Sequence, residues 1–266
     1  MSDVDLDLVL REDENTTAIL TINKPDSLNS LSAAVQDALE ARLDEVEADD
    51  AINTIVITGA GEKAFVAGAD IGELAKRSPI EALGARLQRL FERLATFPKP
   101  TIAAVNGFSL GGGLELALAC DVRVASTTAK FGFPETGLGI LPSAGGTQRL
   151  PELVGVGLAL DLIITGRKID ADEARTAQLV TYVVEPEELR SQALKVAERI
   201  ERKGPLAVRL AREAVKRGFS LDHDTGFALE RIAQTVLFHS PEKEEGTRAF
   251  GEKRHPDYSE HRGDRP

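Results

Sequence analysis

Glu115 follows a run of three glycines, and Glu135 follows a proline just after a strand-like stretch. These two carboxylates and the turns beside them are where this chain could do chemistry. Residues 106–120 read NGFSLGGGLELALAC. Within them, Gly107-Phe108-Ser109-Leu110-Gly111 matches G-x-S-x-G, the turn that displays a nucleophilic serine in many hydrolases. The glycines allow a different chemistry. A strand that ends in a glycine turn and opens a helix aims unpaired N–H groups outward, with the positive end of the helix dipole behind them. Such amides suit an oxyanion. A second glycine turn follows a strand in KAFVAGADI, residues 63–71, so two amides from separate turns could clamp one carbonyl oxygen. Glu115 would stand beside that clamp, and FGFPETG, residues 131–137, supplies Glu135. Two glutamates and an oxyanion hole are the parts for proton transfer and water addition next to a thioester carbonyl.

The serine alternative needs a histidine. The four histidines are His223, His239, His255 and His261, all in a tail that reads as helical, and none is preceded by strand-like sequence. A hydrolase of this type places its histidine in a loop after a late strand, so the serine reading is poor. Metal and nucleotide readings fail sooner. There is no H-E-x-x-H, no G-x-x-x-x-G-K-[ST], and no G-x-G-x-x-G between strand and helix.

The elements that must hold these residues read as mixed α/β, then all-α. LDLVL and TTAILTIN show strand character, and 32–48 places Val35, Leu39, Leu43 and Val46 on one helical face. NTIVITG is a short buried strand. Ser78-Pro79-Ile80-Glu81 is a capping box, and the helix it opens is expected to carry Leu83, Leu87, Leu90, Phe91 and Leu94 inward until Pro98. TIAAV, DVRVAS and AKFGF read as strands, with a helix at 112–120 between the first two. Helices are expected at 146–153, 157–164 and 171–177, and TYVVE as a last strand. From Pro186 the pattern is helical over 187–202, 205–217, 222–238 and 242–250.

A chain of 266 residues with 42% hydrophobic content buries a substantial core. No apolar run reaches the roughly 18 residues of a membrane helix. The acidic start MSDVDLDLVL lacks the basic residues of a secretory signal, and one cysteine, Cys120, makes no intramolecular disulfide. A cytoplasmic location is the expectation. The net charge of −11 disfavours nucleic acid as a partner. Salt adaptation and an ordinary acidic enzyme both fit that charge.

At this point the sequence resembles the enoyl-CoA hydratase/isomerase (crotonase) superfamily over nearly its whole length. The matching segments are NKPDSLNSL, KAFVAGADI, PTIAAVNGFSLGGGLELALACDVRVAS, AKFGFPETGLGILPSAGGTQRL and EGTRAFGEKRHPDY. The resemblance implies a spiral of repeated strand-strand-helix units with a C-terminal all-helical region. It divides the chain into a catalytic core at 1–203 and a helical oligomerisation region at 204–266. It makes the amides of Ala69 and Gly112 the oxyanion hole and Glu115 and Glu135 the two catalytic carboxylates. It places Asp26, Ser27, Leu28, Ala67 and Asp70 around coenzyme A, and Phe250 and Lys253 at its adenine and phosphates. The position of Ser109 is commonly alanine in relatives, which makes the G-x-S-x-G match a decoy. Two departures stand out. Asp26 replaces a lysine that some relatives place near the CoA phosphates, and Phe133 replaces a glutamine two residues before the second glutamate, where an apolar neighbour disfavours ionisation of Glu135.

The expected activity is hydration of trans-2-enoyl-CoA to 3-hydroxyacyl-CoA in fatty acid metabolism. An enoyl-CoA isomerase, or another CoA-thioester hydrolase or lyase, remains open, and an RNA-binding relative is disfavoured by the charge. The resemblance implies no separate cofactor, since coenzyme A is part of the substrate, and no metal, membrane or nucleic-acid partner. It implies a homotrimer or homohexamer.

Overall fold

The computed structural model describes residues 4–258. β1 (Val9–Glu14) and β2 (Thr17–Ile22) pair antiparallel across Asn15, which takes a left-handed φ of 54° at the turn. Residues 6–8, expected as strand, form a 3-10 turn instead, because the Asp5 carboxylate caps it by accepting Asp7 N–H at 3.1 Å. α1 (Ala33–Ala48) begins at Ser32, whose hydroxyl accepts Val35 N–H. Its expected inner face, Val35, Leu39, Leu43 and Val46, is completely buried.

β3 (Thr54–Gly59) and β4 (Ala64–Val66) lead into α2 (Ile71–Leu74), α3 (Pro79–Leu83) and α4 (Arg86–Ala95). The capping box of Ser78 and Glu81 is present, but the helix it opens is only five residues long. Gly84 ends it, Ala85 takes a positive φ of 46°, and the Arg89 guanidinium donates to Gly84 O. Leu83 is therefore 85% exposed rather than inward, whereas Leu90, Phe91 and Leu94 of α4 are buried as expected.

β5 (Thr101–Val105), β6 (Phe108–Leu110), α5 (Gly112–Ala119), β7 (Val122–Ser126) and β8 (Lys130–Gly132) follow. The helices expected at 146–153 and 157–164 form one element, α6 (Gly146–Thr165), kinked at Gly155 where φ is 77°. β9 (Lys168–Asp170), α7 (Ala171–Thr176), β10 (Tyr182–Val184) and α8 (Leu189–Glu201) complete the mixed part.

The strands make two sheets. The larger has the order β1-β2-β3-β5-β7-β10 and is parallel except for the first hairpin. The smaller has the order β4-β6-β8-β9, with only β9 antiparallel. Consecutive pairs β3–β4, β5–β6 and β7–β8 each give one strand to either sheet. The chain thus winds as a spiral whose parallel crossings are completed by helices. The main core lies between the sheets and α1, α4, α5 and α6, with Phe65, Phe91, Phe131 and Phe133 fully buried. α8 covers the outer face of the larger sheet through Leu189, Ala193, Val196 and Ala197.

α9 (Pro205–Gly218), α10 (His223–Phe238) and α11 (Pro241–Gly251) close the chain, and neither α9 nor α10 buries a single residue. α9 is fastened near the C-terminal end of α5, where Asp121 pairs with Arg212 at 2.8 Å and with Lys216. Arg212 also donates to Phe97 O at 3.0 Å. Val215, Phe219, Phe227, Ile232, Val236 and Phe238 remain exposed. No helix of the described residues is long and apolar enough to cross a membrane.

Candidate active site

The parallel strands of the smaller sheet deliver the site. β4 ends at Val66, β6 at Leu110 and β8 at Gly132. Two or three residues past these neighbouring ends stand Ala69, Gly112 and Glu135. Close approach explains the glycines between. A β-carbon on Gly113 would lie 1.9 Å from Val66 O, so only glycine lets α5 start this near β4. Gly111 takes φ 53° and ψ −125°, a conformation side chains with a β-carbon avoid, and its N–H donates to Gly132 O at 2.9 Å.

Gly112 is the first residue of α5, so its N–H has no partner within the helix. The Ala69 amide stands beside it: a β-carbon on Gly112 would lie 3.7 Å from Ala69 N. Ala69 bridges Leu31, and Leu31 N–H donates to Gly68 O at 2.9 Å, which fixes the turn after β4. The structure therefore brings the two expected amides together. Leu31 and Leu87 flank them as apolar walls, each within 3.6 Å of the same position on Gly112. Such a surround keeps the local dielectric low, which strengthens hydrogen bonds to developing charge.

Glu115 is buried, and its Oε1 accepts Ala144 N–H at 2.7 Å and Gly146 N–H at 2.8 Å. These bonds occupy one oxygen and leave Oε2 for chemistry. Burial raises its pKa above the ordinary carboxylate value, opposed by the two amides and by the charge of Arg149. Glu135 sits against Gly111, and its buried Oε2 has no hydrogen-bond partner among the described residues. Burial pushes its pKa up to about 7, with a further contribution from the neighbouring Glu115 charge. The expectation that Glu135 resists ionisation holds in direction. Phe133 is fully buried with its ring packed at Gly146.

The segment expected to grip coenzyme A folds beside the first turn. Asp26 and Ser27 lie in a 3-10 turn, and Leu28 takes a left-handed φ of 53° with its carbonyl accepting Ala67 N–H at 3.0 Å. Asn29, which sequence reasoning missed, holds this loop. Its Oδ1 accepts Lys24 N–H at 3.0 Å, and its Nδ2 donates to Ala64 O at 2.8 Å. The Asp70 carboxylate caps α2 by accepting Gly72 N–H at 2.9 Å and Glu73 N–H at 3.2 Å, and lies 3.6 Å from Lys24 Nζ. The amide bonds, that from Glu73 foremost, lower its pKa. Any contact it makes with a ligand must share the carboxylate with these partners.

Phe250 and Lys253 are not brought to this place within one chain. Both lie in or just after α11, Phe250 is 87% exposed, and no hydrogen bond or ion pair links either to the glycine turns among the described residues. α11 packs on α10, and α9 is anchored near the opposite end of α5 from Gly112. The segment after α11 is ordered by buried Glu245, which accepts from Arg254 at 2.6 and 3.0 Å and from Asp257 N–H at 2.9 Å.

Ser109 is wholly buried in β6, opposite Val66 and Phe131, and its Oγ has no partner among the described residues. His223 opens α10, His239 closes it, and His255 follows α11, while His261 lies outside the described residues. No hydrolytic triad forms among the described residues.

Comparisons with known proteins bear on the family and the fold. The enoyl-CoA hydratase/isomerase family model matches residues 12–261. The chain is 45% identical over 253 residues to the short-chain-enoyl-CoA hydratase of Clostridium acetobutylicum, covering 94% of this chain and 97% of that protein. It is 46% identical over 248 residues to the crotonyl-CoA hydratase of Syntrophomonas wolfei, covering 92% and 95%. The crystal structure of enoyl-CoA hydratase from Bacillus anthracis superposes with a TM-score of 0.91 at 41% identity, covering 94% of this chain and 98% of that one.

Proposed function

Because the chain belongs to the enoyl-CoA hydratase/isomerase family and has its crotonase-like fold, we propose that it adds water across the 2,3 double bond of short-chain trans-2-enoyl-CoA esters. The observation that carries this reading is that buried Glu115 and half-buried Glu135, close enough for the charge of one to act on the other, stand beside the amide-bearing residues Ala69 and Gly112. The preference for short chains is carried by the names of the two relatives at 45% and 46% identity.

In this mechanism the thioester oxygen accepts the N–H groups of Ala69 and Gly112. Charge drawn onto that oxygen is stabilised by both amides and by the positive end of α5. C3 becomes electrophilic. Water held between the glutamates loses a proton to ionised Glu115 as its oxygen bonds to C3. The enolate then takes a proton at C2 from neutral Glu135. Glu115 is left protonated and Glu135 ionised, and passage of that proton from one to the other restores the starting state. An acid with a pKa of about 7 suits the donor.

We take residues 204–266 as an oligomerisation region of a homotrimer or homohexamer, supported by the exposed apolar residues of α9 and α10. Phe250 and Lys253 would reach a coenzyme A bound to a neighbouring copy. Asp26 near that site offers no phosphate contact of its own. The purified protein should bleach the conjugated-thioester absorbance of crotonyl-CoA faster than that of longer enoyl-CoA esters. Turnover of 3-enoyl-CoA with no hydration of the 2-enoyl esters would instead assign an isomerase.

A further inference from the structure

The turn that holds Glu115 is itself held from outside by a charged side chain. The Ala144 and Gly146 amides point inward to Glu115 Oε1. The Ala144 carbonyl points outward and accepts Arg149 Nη1 at 3.1 Å. The guanidinium lies over Gly145, so close that a β-carbon there would stand 2.9 Å from Arg149 Cζ. Gly145 has φ 111°, and its carbonyl accepts Arg149 N–H at 2.8 Å. The Arg149 side chain therefore holds the first of the two peptide units between the amides that touch the carboxylate, and the second is held by an ordinary backbone bond of the helix.

We propose that Arg149 is a positioning residue. By holding the Ala144 carbonyl and lying against Gly145, its guanidinium keeps the Ala144 and Gly146 amides on Glu115 Oε1 and leaves Oε2 for the water. This rests on the reading of Glu115 as the water-activating carboxylate. The guanidinium of arginine suits the role, because its rigid fork aims Nη1 at the Ala144 carbonyl and at Gly145 together, which a flexible ammonium does not do. Arg149 also supplies the positive charge that opposes the burial of Glu115. The other titratable groups facing the pair are Glu135 after β8, Glu92 on α4, Glu152 further along α6, and the Cys120 thiol at the end of α5. Burial pushes that thiol up to about 12, so it stays neutral. Glu92 and Glu152 act on Arg149 rather than on Glu115, and loss of Arg149 removes the positive charge that opposes the burial of Glu115.

The test combines kinetics with titration of Glu115 itself. In protein labelled with 13C at glutamate carboxyls, the Glu115 signal is identified by its loss in Glu115→Gln. In Arg149→Gln its midpoint should rise by roughly half to one pH unit, the direction expected when a nearby opposite charge is removed. The acid limb of kcat/KM for crotonyl-CoA should move with it, and kcat should fall about tenfold or more at unchanged KM. Arg149→Lys keeps the charge and should raise the midpoint less than Arg149→Gln does, while still losing kcat. An unmoved midpoint in Arg149→Gln overturns the proposal, whether or not activity drops. If that variant does not fold, Arg149→Lys decides alone: a tenfold lower kcat at parent KM supports the proposal, and parent kcat overturns it. Should the parent protein hydrate no enoyl-CoA, the proposed reaction fails, and the carboxyl titration still decides what Arg149 does.

Discussion

The carboxylate of Glu135 lies against the α-carbon of Gly111: a β-carbon added there would stand 2.6 Å from Oε1 and 3.2 Å from the carboxyl carbon. The acid thus packs against the glycine turn that precedes the oxyanion amide.

Gly111→Ala should therefore cost far more than a methyl group. The added carbon meets Glu135, and φ of 53° with ψ of −125° strains any residue other than glycine. We expect kcat for crotonyl-CoA to fall at least a hundredfold, with a lower thermal midpoint. Parent-like turnover in the alanine variant would show that Glu135 has room to shift without harm.

Glu135→Gln separates function from stability. Turnover should drop by roughly 10²–10⁴, the usual range for a positioned general acid or base. The parent's kcat/KM should fall on the alkaline side with a midpoint near the pKa of about 7, and the residual activity of the variant should lack that limb. Stability should change the other way. Below the ordinary value of 4.5 folded and unfolded chains both hold the proton. Between there and about 7 the unfolded chain ionises while the folded one does not, so parent stability falls through that window and then levels. Glutamine removes the penalty, worth about 2–3 kcal/mol. Calorimetry at pH 8 should give the variant a midpoint about 5 °C higher, and little difference at pH 4.5. Equal midpoints at pH 8 would contradict the raised pKa.

Ser109→Ala should leave turnover near the parent's. The hydroxyl is buried in β6 without a partner, and the turn beyond it works through its backbone. Removing an unsatisfied buried hydroxyl should also raise the thermal midpoint slightly. A fluorophosphonate adduct on Ser109, or a thousandfold loss in the variant, would restore the nucleophile reading.

Light scattering should report three or six copies, since Phe219, at 67% exposure, and its neighbours on α9 and α10 leave an uncovered apolar surface in one chain. Lys253→Ala should raise KM for CoA esters severalfold and leave kcat nearly intact. Its pantetheine-thioester counterpart, lacking the nucleotide, should not distinguish parent from variant. A monomeric parent with full activity would remove both expectations.

What the residue pattern revealed depended on whether identity carried the information. The inner face of α1 and the capping box at Ser78 were legible, because apolar spacing and cap chemistry are written in side chains. The glycine turns at 67–69 and 111–113 were legible because close approach and positive φ demand glycine. The three-residue strands β6 and β9 were not, because neither sits in a longer strand-like run such as the alternating Phe131 and Phe133 at β8 or the paired valines at β10. The break after Leu83 was hidden by an apolar spacing that continues across Gly84. Nor could the pattern show that Ala144 and Gly146 donate to Glu115, because backbone donors are common to nearly every residue. The paired glycines at 145–146 were the one hint.

The mounting of the site on successive turns of the spiral sets an order on its completion during synthesis. A nascent chain folded through α5 presents both amides and Glu115, but the acid arrives only after β8 has paired beside β6. The turn that steadies Glu115 comes later still, at 144–146. No single repeat can be excised, duplicated or transplanted with the chemistry intact, since each contributes one fragment that has no purpose without its neighbours.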